Sequence, residues 1–146
     1  MAIRGFFSKT RLTPNPDTPT SVPYVHAEIS IPSTGKSIIA SFLIDTGADM
    51  TVIHPQDGLR LFSAAEINAI PNPIGIGGAR HGKLYYPVDA EISFLHDHGE
   101  VQTVAITAYV AEATNNVTTE SLLGRDVLGS FIMNFDQAGE TVTFGG

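Results

Sequence analysis

Apolar and polar residues alternate with a period of two along two long stretches of the chain. Val25, Ala27, Ile29 and Ile31 alternate with polar side chains, and residues 88–94 repeat the same alternation. This period is typical of a β-strand with one face in a hydrophobic core and the other face in water. Both stretches are therefore predicted to be half-buried strands.

A third stretch, residues 37–44, is almost continuously apolar and runs directly into Asp45. Continuous apolar runs of this length are typical of strands that are buried on both faces. We therefore expect a strand at 37–44 that is buried on both faces and delivers Asp45 to the interior of the protein.

Shorter elements are predicted around these strands. They are a turn at 32–36, a short strand at 51–53, a short helix at 64–69, a hairpin tip at 97–99, a strand at 101–110, a helix at 125–130 and a closing hairpin with arms at 131–135 and 141–144. The first helix rests on the capping-box spacing of Ser63 and Glu66 and on Pro71, which blocks its continuation. Many short strands with little helix predict an all-β barrel or sandwich.

A length of 146 residues predicts one domain. Residues 13–23 contain four prolines and almost nothing to bury, which is typical of an extended linker. We therefore divide the chain into a proline-rich N-terminal arm at 1–23 and a globular domain at 24–146.

Composition and charge narrow the classes of function. Fifteen Asp and Glu residues against eight Lys and Arg residues give a net charge of -7, which repels a nucleic-acid backbone. No stretch approaches the roughly 20 apolar residues that cross a bilayer, and the apolar segment of a secretion signal is missing. Nucleic acid and membranes are therefore not expected as partners, and a cytoplasmic location is predicted. The absence of cysteine excludes cysteine-protease chemistry.

The strongest candidate for chemistry is the tripeptide Asp45, Thr46 and Gly47. A carboxylate at the end of a buried strand has little water around it and is suited to acid-base work. An ordinary turn would use the same residues differently, with Asp45 accepting backbone hydrogen bonds and Gly47 supplying a permissive dihedral. The tripeptide alone does not decide between these two interpretations.

Two further segments accompany the tripeptide. The first is rich in glycine, as is typical of a mobile hairpin lid, and comprises Ile74, Gly75, Ile76, Gly77 and Gly78. In the second, Gly124 lies between the apolar pair 122–123 and the charged pair 125–126, which suits close packing of its backbone against another element.

In this order the three segments resemble the motifs of the retropepsins, the retroviral and retroviral-like aspartic proteases. Residues 42–49 resemble the catalytic loop, residues 75–78 the flap tip, and residues 122–126 the segment that packs behind the loop. The similarity runs from Tyr24 to Phe144 and is closest to cellular, DNA-damage-inducible-type members. It implies an all-β fold, a closed retropepsin-like β-barrel with a flap hairpin and one short C-terminal helix, assembled as a twofold homodimer.

The resemblance also implies an aspartic endopeptidase that needs no cofactor and no metal. The chain contains no second Asp-Thr-Gly or Asp-Ser-Gly, so a second copy of the chain must supply the other catalytic Asp45. Two carboxylates held close together share one proton, as in aspartic proteases generally, so one acts as the base and the other as the acid. Activity is therefore expected to peak at mildly acidic pH.

Individual roles follow from the same resemblance. Thr46 should lock the two catalytic loops together, Gly47 should offer its carbonyl to the substrate, and Asp49 should pair with Arg125, which with Gly124 supports the dimer. Substrate contacts are assigned to the residues after the tripeptide and to the flap, namely Ala48, Asp49, Met50, Ile74, Gly75, Ile76, Gly77 and Gly78. The expected substrate is an extended peptide with apolar residues at the cut.

Arg80 and His81 depart from the apolar residues of viral flaps and leave the subsite preference open.

Two other classes of function stay open. A retropepsin-fold module could bind extended peptides or dimerise without efficient turnover, because a fold does not guarantee an activity. A β-sandwich could bind a metal through His96, Asp97 and His98 together with His54 or His81, although side chains at a hairpin tip diverge.

Overall fold

The computed structural model describes residues 2–9, 21–75, 83–113 and 120–145. The strands in these ranges are β1 (Ile3–Arg4), β2 (Phe6–Lys9), β3 (Ser21–Ile31), β4 (Lys36–Ile44), β5 (Val52–Ile53), β6 (Ile74–Gly75), β7 (Leu84–Leu95), β8 (Val101–Ala111), β9 (Leu122–Leu123), β10 (Ile132–Asp136) and β11 (Thr141–Gly145). The helices are α1 (Pro55–Leu61), α2 (Ala64–Asn68) and α3 (Arg125–Leu128).

Six of the strands close into a barrel. Strand β3 pairs with β4 along one edge and with β7 along the other. The ring continues from β4 through β9, β5 and β8 and returns to β7. Because the pairing of β3 with β7 completes the circle, the predicted closed β-barrel is confirmed.

The core fills the inside of this ring. The two alternating stretches are confirmed as half-buried strands, because the inward apolar side chains of β3 and β7 have almost no exposed surface. These side chains are Val25, Ala27, Ile29 and Ile31 of β3 and Ala90, Ile92 and Phe94 of β7.

Strand β4 differs from the prediction in its exposure. Phe42 is fully buried, but Ile39 is 66% exposed and Ser41 is exposed as well. Only one face of a strand in a barrel wall points to the core, and Ile39 lies on the other face. The prediction of two buried faces for residues 37–44 is therefore wrong. The strand runs directly into Asp45 as expected, but Asp45 is half-buried and does not lie in the interior.

Both hairpins predicted from the sequence are present in the structure. The tip at 97–99 joins β7 to β8, and Gly99 adopts a φ of 85° there, in the left-handed region that favours glycine. The closing hairpin is formed by β10 and β11, and the short strand at 51–53 is present as β5.

The capping box predicted for α2 is present. The hydroxyl oxygen of Ser63 accepts the amide of Glu66 at 3.1 Å, and the Glu66 carboxylate accepts the amide of Ser63 at 2.9 Å. Helix α3 begins at Arg125 as expected. Helix α1 was not predicted; it begins at Pro55, a residue favoured at the first helical position. None of the helices in the described ranges could span a membrane.

Part of the predicted arm lies within the fold. Strand β1 joins β11 and β10 in a three-stranded sheet, and β2 extends the barrel sheet by pairing with β3. Ile3 is buried, and the ring of Phe6 stacks on Tyr24 with 5.6 Å between the centroids. Residues 10–20 lie outside the described residues, so the predicted boundary between arm and domain stays a prediction.

Candidate active site

The backbone of Asp45 is tied to the strand beside it. Its amide donates to the carbonyl of Leu123 at 3.1 Å, and its carbonyl accepts the amide of Ala48 at 3.2 Å. The parallel pairing of β4 with β9 therefore continues by one hydrogen bond into the loop. The loop is anchored at its base as it leaves the barrel.

The side chain of Asp45 is held by its own loop. Its Oδ1 atom accepts the amide of Gly47 at 3.0 Å. Asp45 is half-buried, and Thr46 and Gly47 are exposed beside it. The hydrogen bond fixes the carboxylate in one orientation, while the exposed neighbours leave it accessible to water and to another chain.

A cavity of about 360 Å³ opens beside Asp45. It is lined by Ile44 of β4, by Asp45 and Thr46 of the loop, by Pro23 of β3, and by Met133 and Phe135 of β10. Sequence reasoning missed the last three residues. Only the pairing of distant strands brings them to the loop, and no local pattern signals that contact.

A second cavity, of about 280 Å³, lies beside the residues that follow Gly47. Three residues predicted to contact the substrate line it together: Ala48, Asp49 and Met50. The rest of its lining comes from the barrel and was not predicted: Val52, His54, Tyr85 and Leu122. We call this space the loop cavity.

His54 is the least satisfied polar residue of the loop cavity. Its side chain is buried, with 8% of the residue exposed, and its Nδ1 atom has no hydrogen-bond partner among the described residues. Burial and the nearby positive charge of Lys83 lower the pKa of His54 to about 4. The imidazole is therefore neutral near pH 7. The edge of one ring meets the face of the other between His54 and Tyr85, with centroids 6.2 Å apart.

The base of the predicted lid pairs with strand β7, whose Tyr85 lines the same cavity. Ile74 and Gly75 form β6 and pair with Tyr85 and Leu84 of β7, so the start of a hairpin is present. Ile76, Gly77 and Gly78 lie outside the described residues, and so do Arg80 and His81.

The segment at 122–126 packs closely against the loop at Gly124, as its sequence predicts. A Cβ atom on Gly124 would lie 2.5–2.7 Å from three backbone atoms of Met50, so no other residue fits there without a shift. Thr51 connects the two segments, because its hydroxyl accepts the Gly124 amide at 3.2 Å and donates to Asp126 at 2.7 Å. The predicted close packing of Gly124 is confirmed.

Arg125 holds the loop from the side. Its guanidinium forms an ion pair with Asp49 and donates to the carbonyl of Thr46 at 3.3 Å. Its amide donates to the carbonyl of Ala48 at 2.8 Å. The predicted pairing of Asp49 with Arg125 is confirmed, whereas the role of Arg125 in dimerisation stays a prediction.

The histidines weighed as metal ligands have other surroundings. His96 is hydrogen-bonded to Gln102 at 2.9 Å, and His54 lies in the loop cavity. Within the part of the chain that the structure describes, no three His, Asp or Glu side chains are grouped so that they could hold a metal ion. His81 lies outside the described residues.

Comparison with known proteins agrees with this geometry. A family model described as retroviral aspartyl protease matches residues 20–135. The chain is similar to a solved retropepsin-like aspartic protease from Rickettsia conorii, with 16% identity, a TM-score of 0.54, and coverage of 99% of this chain and 88% of that chain. It is also similar to the EIAV protease complexed with the inhibitor HBY-793, with 20% identity, a TM-score of 0.40, and coverage of 82% and 93%. The first structure identifies the barrel as a retropepsin-like fold.

Proposed function

The chain belongs to the retroviral aspartyl protease family, and we propose that it is an aspartic endopeptidase made of two copies of the chain. Water is activated between Asp45 of one copy and Asp45 of the other, and the substrate is an extended peptide. The observation that carries the proposal is the anchored loop at the end of the barrel, in which the Gly47 amide orients the Asp45 carboxylate.

Hydrolysis of an amide needs an acid and a base at the same moment. The ionised carboxylate takes a proton from water while the protonated one donates to the carbonyl oxygen of the substrate, which gives a tetrahedral intermediate. When the C–N bond breaks, a proton passes to the leaving nitrogen, and the pair of carboxylates again holds one proton. A single Asp45 cannot fill both roles.

The surface beside Asp45 suits a second copy of the chain. Among the described strands, β10 pairs only with β11, so its other edge is open to a new partner. Ile132 and Phe135 on this strand are 71% and 49% exposed, and Phe135 lines the same cavity as Asp45 and Thr46. A twofold contact over this face brings the two loops together and buries apolar surface.

The substrate lies across the loop in this proposal. An extended peptide is held through its main chain, and alternate side chains enter pockets. Ala48, Asp49 and Met50, which follow the tripeptide, line the loop cavity. The lid predicted from the sequence, which begins at Ile74 and Gly75, covers the peptide in this proposal. Gly124 and Arg125 act indirectly, by fixing the backbone of the loop.

The replacement Asp45→Asn tests the proposal. We expect it to lower peptide cleavage at pH 4 to 7 by at least about 10³-fold, because an amide replaces the carboxylate that exchanges the proton. The thermal unfolding curve should be unchanged. Peptide turnover by the purified protein, with and without a statine-type transition-state mimic, is the measurement.

The matched control is Asp89→Asn, which makes the same chemical change on an exposed position of β7 and should leave cleavage unaltered. Cleavage by Asp45→Asn at the wild-type rate would reject the mechanism. Tight peptide binding by the wild-type protein without any cleavage would instead assign the chain as a peptide-binding module.

A further inference from the structure

We propose that strand β8 forms a second contact between copies of this chain, in which residues 101–107 of one copy pair edge to edge with the same residues of another. This inference goes beyond the proposed endopeptidase function and does not depend on it. The contact lies on the wall of the barrel, on a different strand from β10, which carries the proposed catalytic dimer.

The strand pairing defines a free edge on β8. Strand β8 pairs with β7 along its whole length, from Val101 to Ala111. On its other side only Tyr109 and Val110 are paired, with β5. Among the described strands, none pairs with the outer edge of residues 101–107.

The backbone groups on this edge belong to odd-numbered residues. The amide of Tyr109 donates to the carbonyl of Thr51 at 3.1 Å, so it points away from β7. Because the register with β7 is unbroken, the amides and carbonyls of Thr103, Ala105 and Thr107 point the same way. These groups have no backbone partner among the described residues and form a template for another strand.

The side chains of β8 show that the edge is open to water. Val104 and Ile106 are only half-buried, whereas Ile92 and Ala90, which lie opposite them on β7, are buried. Residues that lie opposite each other share one face of a sheet, so Val104 and Ile106 point to the core side. A strand added at this edge would therefore bury more apolar surface.

The edge of β8 carries none of the usual protection against pairing. Residues 101–111 contain no charged residue and no proline, and their register with β7 contains no bulge. Charges, prolines and bulges are the features that normally prevent two edges from joining. The edge of β4 differs, because the guanidinium of Arg60 donates to the carbonyl of Ile39 at 3.2 Å and occupies it.

The distribution of charge favours a second copy of the chain as the partner. The chain has a net charge of -7, so two copies approach each other most easily over an uncharged strip. With a twofold axis at Val104, Thr103 of one copy lies opposite Ala105 of the other, and Val101 lies opposite Thr107. No charged side chain then faces another across the joined edges, and the pair of β-branched residues is favourable.

The carboxylates nearest to this edge also avoid each other in the twofold arrangement. Asp89 and Glu91 are exposed on β7, in the rows of Thr107 and Ala105. The twofold axis reverses the direction of the second copy, so these rows continue into four residues of the other copy that are all neutral: Val101, Leu95, Thr103 and Ser93. Val101 and Leu95 are 65% and 66% exposed, so the acidic end of one copy meets the apolar end of the other.

Sedimentation equilibrium of the full-length chain tests the proposal. At high concentration we expect the wild-type assembly to have at least twice the mass of the Thr103→Glu assembly, because this variant places two carboxylates near the twofold axis. The matched control is Thr103→Gln, which also loses the hydroxyl contact with Ser93 at 2.8 Å but adds no charge. It should associate as the wild type does. Equal masses for the wild type and Thr103→Glu overturn the proposal.

A second pair of variants tests the backbone of the edge. Ala105→Pro removes an amide that points away from β7, so the pairing of β7 with β8 keeps its hydrogen bonds. Its mass should fall to that of Thr103→Glu, whereas Ala105→Ser, which keeps the amide, should have the wild-type mass. A wild-type mass for folded Ala105→Pro contradicts the proposal. If Ala105→Pro does not fold, the comparison of Thr103→Glu with Thr103→Gln decides.

The absolute masses separate this contact from the proposed catalytic dimer. If both contacts form, the Thr103→Glu chain is a dimer and the wild-type chain is a tetramer or larger. If the catalytic dimer fails, the two are a monomer and a dimer, and the contact at β8 still stands. A wild-type chain that does not associate through β8, but binds a labelled peptide of alternating Val and Thr there, would assign the edge to another protein and overturn the proposal.

Discussion

At the residue scale, the close approach of Gly124 to the backbone of Met50 restrains the loop that carries Asp45. Gly124 follows β9, and the carbonyl of Leu123 just before it accepts the amide of Asp45. Any displacement of Gly124 is therefore transmitted directly to the residue that carries the proposed chemistry. Thr51 and Asp126 hold the same contact from the side through hydrogen bonds.

The variant Gly124→Ala should destabilise the protein and weaken cleavage. Its Cβ atom would meet backbone atoms of Met50 at 2.5–2.7 Å, and backbone cannot rotate away as a side chain can. We expect a loss of about 1–3 kcal/mol in the free energy of unfolding, measured by urea denaturation.

The matched control for stability is Gly75→Ala, because a Cβ atom at Gly75 meets nothing within 4 Å among the described atoms. Its free energy of unfolding should change by less than about 0.5 kcal/mol. Equal stabilities for the two variants would show that the contact with Met50 is not restrictive.

The sequence predicted those features of the candidate site that lie in continuous motifs. Asp45, the packing of Gly124 and the pairing of Asp49 with Arg125 are of this kind. His54 and Tyr85 could not be found in that way, because they meet in the loop cavity only through the pairing of strands that are distant in sequence. The kinship with DNA-damage-inducible-type members stays a prediction.

At the scale of elements, the N-terminal residues stabilise the three-stranded sheet of β1, β11 and β10. Strand β1 pairs with β11, and the amide of Asp97 donates to the carbonyl of Ala2 at 2.9 Å. The amide of Ala2 donates back to the Asp97 carboxylate at 3.2 Å and holds the pKa of that carboxyl below its usual value. Ile3 is part of the hydrophobic core, with 2% of its surface exposed.

Deletion of residues 1–9 should therefore cost stability. Burial of a large aliphatic side chain contributes about 1.5–3 kcal/mol, so we expect the free energy of unfolding to fall by at least about 2 kcal/mol. The control is Arg4→Ala, whose side chain is 70% exposed at its ion pair with Asp97 and should contribute less than about 1 kcal/mol. Unchanged stability after deletion would show that these strands are dispensable.

Elements with a clear period or a capping signal were predictable, whereas helix α1 was not. The alternation in residues 24–31 and 88–94 identified two long strands of the barrel. Helix α1 has seven residues, too few to show a helical period, and Pro55 was its only local start signal. The apolar run before Asp45 did not show which face would be exposed, because exposure of Ile39 depends on closure of the barrel.

At the scale of the whole molecule, closure of the barrel follows from one distant pairing. Glu28 of β3 lies opposite Ser93 of β7, a contact that no local pattern signals and that only the resemblance to retropepsins implied. The proposed dimer belongs to the same scale. One chain carries one Asp45, and its exposed loop lies beside an exposed apolar strand edge.

The most direct test of the paired carboxylates is a mixing titration. Wild-type chain at a fixed, fully dimeric concentration receives increasing amounts of Asp45→Asn chain, and peptide cleavage is measured after the subunits have exchanged. Each mixed dimer holds a single Asp45, so the rate should fall to about half at equal amounts and decline further beyond that. The Asp89→Asn chain, added in the same way, should raise the rate. A rate that stays constant as Asp45→Asn is added would show that each chain acts alone and would contradict the shared active site.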